Sequence, residues 1–381
     1  MKTYYWSPFF TNIATVSAVI NSAESLIKYS KDKDENEITL IDAIGEWEKY
    51  KNQINSKIQI IKLNKLNYID FLPKNSFLKS RVSYLFIFLL NFFKLISLIN
   101  KKKPDFLIVH LMTSLPIFLS LFFNKKTKII LRISGLPKLN FFRLFFWKFF
   151  SKNIYKITCP TISTYNQIIN KNIFDKKKIF VLRDPIIKID EFLKKKKEDL
   201  NIEKLKNKKF IVGIGRLTKQ KNFTLMIKFF KEITNKYPQF HLVLIGDGEE
   251  KNILKKMIID LNIEEKVHIM GYQKNVYKFL LNAECFILSS LWEDPGFVLV
   301  EATLANTTII SSRCPNGPEE IIQNEGFLFD NNNINDLVKK FKEFYTSDKI
   351  NIYKNKVKLK KRIKKFTQFH HYNKLNLILN N

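Results

Sequence analysis

Two rhythms of apolar residues alternate along this chain. Short runs at 4–6, 37–42, 57–62, 104–110, 128–135, 154–159 and 178–182 are rich in Ile, Leu, Val and Tyr and end in charged or turn residues. Runs of this length and composition predict strands buried in a parallel sheet. Between them apolar positions recur at helical spacing, as over 13–29. Residues 188–209 break the pattern with a Lys- and Glu-rich stretch that carries no strand signal. The alternation then restarts, with strands at 210–215, 241–245, 267–270, 284–288, 307–311 and 326–329. Helices at 222–236, 249–262, 274–282 and 297–305 separate them. The fold class this predicts is α/β, with doubly wound domains at 1–190 and 205–350 and a ligand cleft between them.

Two stretches do more than fill the pattern. Residues 82–99 (VSYLFIFLLNFFKLISLI) approach the length of a membrane span, but Arg81, Asn91 and Lys94 flank or interrupt them. That predicts a helix buried in the domain or lying on a bilayer. In 141–150 (FFRLFFWKFF), a helical wheel puts Phe141, Phe142, Phe145, Phe146 and Phe149 on one face, bordered by Arg143 and Lys148. Such a face fits a core as well as a membrane interface, where cations reach headgroups and rings enter the acyl region.

The formal net charge of +30 tips the second choice towards an anionic membrane surface. Nucleic acid is the other partner such a charge allows. The basic residues are not clustered with base-stacking aromatics and form no known module, so no specific nucleic-acid binding is expected. Cys159, Cys285 and Cys314 show neither CxxC nor metal-ligand spacing, which points to buried thiols in a reducing compartment. Asp32-x-Asp34 lies in a charge run without further ligands, so no metal site is expected. The N-terminus lacks a signal-peptide core, and the expected location is cytoplasmic.

Candidate chemistry concentrates in the second half. Glu293-x7-Glu301 follows the strand 284–288 and contains Pro295 and Gly296, which mark a turn into a helix with Asp294 as its cap. Unpaired amides at that helix start would seat phosphate between two carboxylates. A ligand with hydroxyls at both ends and phosphates between them, as in a nucleotide-sugar, has the matching layout. Upstream, Gly213-x-Gly215 follows a strand, and Arg216 and Lys221 supply two cations beside the amides such a turn frees. In the first half, His110 and Ser134-Gly135 fall at the carboxyl ends of strands, the edge where open α/β sheets bind ligands.

The ordered set Gly213-x-Gly215-Arg216-x4-Lys221, Gly246-Asp-Gly248, Gly271-Tyr272, Glu293-x7-Glu301 and Gly317-Pro-Glu319 resembles glycosyltransferase family 4, the retaining nucleotide-sugar transferases of GT-B fold. The resemblance is close and in order over about 210–330. The first half shares only the β/α pattern and His110. By position, the resemblance implies that Arg216 and Lys221 hold the donor diphosphate. Glu293 would contact the transferred sugar, Glu301 the ribose, and Tyr272 would lie by the base. Backbone at Gly215, Gly246, Gly296, Phe297 and Val298 would line the donor, and His110 would face the reacting sugar. Residues 351–381 would form a helix crossing back to the first domain. Family members often carry paired glycines in the first strand–helix loop; here that loop is 7–11 (SPFFT), which predicts a bulkier acceptor wall.

The implied activity is transfer of a hexose from a UDP-sugar, or GDP-mannose, to a lipid-linked saccharide in surface-glycan assembly, at the inner face of the plasma membrane. No cofactor is implied, because the nucleotide-sugar is a substrate, and neither a metal nor a dedicated base is required. A soluble acceptor is the alternative.

Overall fold

A computed structural model describes residues 1–9, 14–30, 36–73, 77–135 and 140–380. Asp32-x-Asp34, Phe10 and Thr11 lie outside the described residues. The chain divides into two compact units, Met1–Ile186 with Gln368–Asn381, and Ile187–Thr367.

The first unit runs β1 (Lys2–Trp6), α1 (Ala14–Tyr29), β2 (Glu37–Asp42), β3 (Gln59–Lys62), α2 (Phe77–Lys102), β4 (Phe106–Val109), α3 (Ser114–Leu119), β5 (Lys128–Arg132), α4 (Phe141–Phe150), β6 (Ile154–Cys159), α5 (Ile162–Asn170) and β7 (Ile179–Val181). Its seven strands are parallel, in the order β3-β2-β1-β4-β5-β6-β7. Order reverses beside β1, as in doubly wound folds. Side chains alternate across the sheet: Tyr4 and Trp6 enter the core under α2–α5, and Tyr5 enters the core under α1.

The second unit contains α6 (Ile189–Lys195), β8 (Lys209–Ile214), α7 (Phe223–Thr234), β9 (Phe240–Ile245), α8 (Lys251–Asp260), β10 (Val267–Ile269), α9 (Tyr277–Asn282), β11 (Cys285–Leu288), α10 (Phe297–Leu304), β12 (Thr308–Ser312), α11 (Pro318–Ile322), β13 (Phe327–Phe329), α12 (Ile334–Thr346) and α13 (Lys349–Ile363). Its parallel sheet has the order β10-β9-β8-β11-β12-β13. Phe229, Phe240 and Phe341 close its core in edge-to-face contacts 5.4–5.7 Å apart. The last helix, α14 (Gln368–Asn380), belongs to the first unit, where Leu375, Ile378 and Leu379 pack beside α1.

Three expectations change. The return to the first unit starts at Gln368 and not at 351, because α13 belongs to the second unit. The stretch assigned to a linker carries α6, which Phe192 anchors on Tyr277, edge-to-face at 5.0 Å. Phe9 is no acceptor wall: it is buried against Trp47 and Tyr50, with ring centroids 5.0 and 5.6 Å away.

The two aromatic stretches lie on one flank of the first unit. In α2 every fourth residue from Ser83 to Ile99 is buried, and Asn91 falls on that inner face, donating to Ile87 O at 2.9 Å. Val82, Leu85, Leu89 and Phe93 face outward. This helix is long and apolar enough, by length and composition, to cross a membrane. In α4, capped by the Asn140 side chain, Trp147 and Phe150 are buried, while Phe141, Phe142, Phe145 and Phe149 are exposed. Phe146 leaves the face assigned to it and packs 4.7 Å from Phe150. Phe118 joins the two helices through Phe92 and Phe150, about 6 Å from each.

Candidate active site

The loops after β8, β9, β11 and β12 interlock at the carboxyl edge of the second sheet. Gly215 N–H donates to Ile245 O, Leu217 N–H to Asp247 O and Gly246 N–H to Gly271 O, each at 2.9 Å. Gly246 has φ 141°, and a side chain there would begin 1.8 Å from Gly215 O, so only glycine allows the two loops to meet. Lys221 ends a short 3-10 turn before α7, and its stem passes 3.1 Å from where Gly215 would carry a Cβ. Gly215 thereby leaves the space that Lys221 crosses. Its neighbour Arg216 is exposed at the loop tip.

The second loop is tied to the first. Leu291 N–H donates to Gln220 O at 2.8 Å, and Ser289 Oγ to Lys221 O at 2.9 Å. Lys221 Nζ lies 2.5 Å from Glu293 Oε1, and Ser290 Oγ donates to the same oxygen at 2.5 Å. Glu293 is buried, its N–H donating to Pro315 O at 3.1 Å. Two motifs 72 residues apart in sequence thus meet at one carboxylate oxygen. In the sequence, Ser290 carries no signal beyond being the second of two serines that follow an apolar strand.

Helix α10 starts after Gly296, whose φ of 89° makes the turn, so Asp294 does not cap it. Asp294 instead accepts from Asn316 Nδ2 at 3.3 Å. Val298 is buried and Phe297 half-buried at the helix start. Glu301, in the second turn, is half-buried; burial pushes its carboxyl up to about 7, with Lys195 opposing and Glu191 adding to the shift. Lys195 and Glu191 pair at 2.6 Å on α6, and Asn275 Nδ2 fixes that helix by donating to Lys195 O at 2.8 Å. Helix α6 therefore borders Glu301, which no reading of a Lys-rich linker anticipates. Tyr272 is exposed on the loop after β10.

His110 requires a correction. Its main chain sits at the end of β4, but its side chain shares the inward face with Ile108, in an internal pocket lined by Ser22, Arg132, Thr158, Asp184 and His371. Burial holds its imidazole well below the usual range, and the charge of Arg132 acts in the same direction. The neighbours form a network. Arg132 donates to Leu182 O and Asp184 Oδ1, both at 2.5 Å. His371 Nδ1 lies 2.7 Å from Arg183 O, which requires the proton on that nitrogen, and Nε2 then accepts from Ser22 Oγ at 2.8 Å. The side chain of His110 faces this interior and not an open ligand edge.

Residues 194–366 match the model of the family described as "Glycosyl transferases group 1". The second unit belongs to that family. Among similar sequences, an uncharacterised glycosyltransferase of Methanocaldococcus jannaschii is 45% identical over 111 residues, 29% of this chain and 27% of that protein. The N-acetylgalactosamine-N,N'-diacetylbacillosaminyl-diphospho-undecaprenol 4-alpha-N-acetylgalactosaminyltransferase of Campylobacter jejuni is 32% identical over 153 residues, 39% of this chain and 41% of that protein. The matched stretches thus span about a quarter to two-fifths of these relatives' own lengths. Anabaena HepE, solved in complex with UDP and glucose, superimposes with a TM-score of 0.75 at 13% identity, covering 100% of this chain and 99% of that one. Staphylococcus aureus TarM gives a TM-score of 0.71 at 15% identity, with both chains covered completely. These likenesses establish the fold as that of GT-B glycosyltransferases, two Rossmann-like units, with the group 1 domain as the second.

Proposed function

We propose that this protein is a retaining, metal-independent hexosyltransferase. Its donor is a nucleotide-sugar, with UDP as the favoured nucleotide, and its acceptor a lipid-linked saccharide at the cytoplasmic face of the membrane. The observation that carries the reading is the meeting of Lys221, from one motif, with Glu293, from another, at the carboxyl edge of the group 1 domain. A diphosphate placed there meets Lys221 and Arg216, and the sugar beyond it meets Glu293. The Campylobacter relative, whose name describes an undecaprenol-linked acceptor, supports the lipid-linked class. HepE with bound UDP supports the nucleotide.

In this reading the bond between the sugar's anomeric carbon and the diphosphate oxygen breaks as negative charge builds on the phosphate. Arg216, Lys221 and the amides starting α10 neutralise that charge. The acceptor hydroxyl attacks from the face the phosphate leaves, forms the new glycosidic bond and gives its proton to the departing phosphate. Glu301 accepts from ribose hydroxyls, and Tyr272 lies by the base.

The exposed rings of α2 and α4 would rest in the lipid interface, with the exposed Arg143 and Lys148 beside anionic headgroups. Melting-temperature shifts with UDP, GDP, ADP, CMP and their sugar conjugates test the donor, because a ligand of the folded state raises that temperature. A shift with one nucleotide, lost in Lys221→Ala, is the expected result. Silence across the panel would overturn the donor site.

A further inference from the structure

The cation assigned to the diphosphate is already paired within the protein. Lys221 Nζ and Ser290 Oγ converge on Glu293 Oε1 at 2.5 Å each, and the side chains of Lys221 and Glu293 retain only 15% and 4% exposure. So little water screens the pair that separating it is expensive, and a carboxylate abandoned there is worse off than a solvated one. Any diphosphate that takes Lys221 must first separate this pair, and it brings negative charge towards Glu293.

Two ligands differ in what they return. A free nucleoside diphosphate takes Lys221 and leaves Glu293 with Ser290 alone. An intact nucleotide-sugar also takes Lys221, but its sugar hydroxyls replace the lost donor at Glu293. We propose that the Lys221–Glu293 pair is an exchange clasp that discriminates the intact donor from the spent diphosphate and so drives product release. This rests on the reading that the diphosphate binds at Lys221. Ser290 is the positioning residue of the clasp. It stands at the end of β11, its carbonyl accepts from Ser312 Oγ at 2.7 Å, and it holds Glu293 in place when Lys221 leaves.

Calorimetric titration of UDP, GDP and ADP into the full chain finds the diphosphate that binds most tightly. The same ligand is then titrated into Lys221→Ala, Glu293→Gln and Ser290→Ala. Glutamine keeps the shape and still accepts from Ser290, but it carries no charge to hold Lys221. Glu293→Gln is expected to tighten the diphosphate by about ten-fold and its glucose conjugate by clearly less. Lys221→Ala is expected to weaken the diphosphate about ten-fold or more. Ser290→Ala leaves the ion pair whole and binds the diphosphate no more tightly than wild type. If Lys221→Ala weakens binding while Glu293→Gln leaves it unchanged, or tightens the conjugate equally, the clasp is overturned and the diphosphate site stands. The clasp also falls if Ser290→Ala tightens the diphosphate as much as Glu293→Gln does. If no diphosphate binds wild type, or Lys221→Ala has no effect, the underlying site reading falls with it.

Discussion

Arg132 at the end of β5 and Asp184 beyond β7 form an ion pair of 2.5 Å, with side chains only 2% and 10% exposed. Burial pushes the Asp184 carboxyl up, against the pull of the guanidinium. A buried pair of this kind adds little over an apolar replacement, but breaking it leaves a lone charge in the core. Arg132→Ala is therefore expected to destabilise the protein by about 3–5 kcal/mol, measured by urea denaturation. The double variant Arg132→Met with Asp184→Leu should regain most of that loss. A single variant within about 0.5 kcal/mol of wild type, the range of ordinary surface changes, would show the pair to be idle.

The histidines beside that pair set an acid limit on stability. Burial pushes His371 down to about 3, and His110 is also held well below its usual range. Both stay neutral in the fold, whereas an unfolded histidine protonates near pH 6.5. As pH falls through 6.5 towards 3 the unfolded chain binds more protons, so stability falls. For His371 the full window corresponds to about 5 kcal/mol. Melting temperatures from pH 7 to 4 should fall more steeply for wild type than for His371→Gln, whose amide can replace both hydrogen bonds. Parallel curves would refute this account.

How far the sequence discloses the site depends on which physical signal each residue carries. The strands of both sheets are legible because both faces are buried, which leaves short continuous apolar runs. Lys221 and Glu293 are legible because an ordered set of motifs surrounds them. Ser290 carries no such signal, since its role comes from the β11 end that places it under Glu293. Helix α6 is masked by its lysines, and its anchors lie about 80 positions away, Tyr277 against the Phe192 ring and Asn275 on Lys195 O. His110 ends a strand, but position along the strand does not tell which way its side chain turns. The two-residue alternation puts it on the inward face with Ile108, turning it from a ligand edge to the interior. Similarly, a helical wheel cannot rank Phe145 against Phe146, and only the packing partner Phe150 separates them.

Glu301 predicts the opposite pH dependence. Its folded carboxyl is pushed up to about 7 by burial, above its unfolded value. Below the unfolded value both states are protonated and the group costs nothing. As pH rises towards 7 the unfolded chain ionises first, so the contribution to stability is lost across that window. Without ligand, Glu301→Gln should flatten the decline in melting temperature between pH 5 and 7.5. With nucleotide bound, ribose hydroxyls favour the carboxylate, so affinity in wild type should rise with pH from 6 to 8. Glu301→Gln should remove that rise, and calorimetry at three pH values would detect it.

Catalysis should respond to Lys221 more than binding does. If charge develops on the leaving diphosphate, a cation beside it is worth most in the transition state. Lys221→Ala is expected to lower kcat by about 10²–10³-fold, the scale of losing one preorganised charge donor. Turnover near wild type, with the protein folded by circular dichroism, would remove Lys221 from the reaction.

The flank of α2 and α4 makes the membrane reading testable without touching the core. Phe141, Phe142, Phe145 and Phe149 are each more than 60% exposed, so replacing them forfeits little packing. Arg143 lies close enough to Tyr84 of α2 for its charge to act on that phenol, placing a cation between the two exposed faces. Rings in the interface and cations at headgroups act together, and the cationic share weakens with salt. Wild-type protein should therefore co-sediment with vesicles containing phosphatidylglycerol and release partly at high salt. Phe142→Asp with Phe145→Asp should abolish sedimentation at an unchanged melting temperature. Arg143→Gln with Lys148→Gln should weaken it by about 2 kcal/mol in total. Phe146→Ala should instead lower the melting temperature, because Phe146 packs on Phe150 and not outward. Equal vesicle binding by wild type and the aspartate variant would reject the interfacial role and favour an acceptor reached from solution.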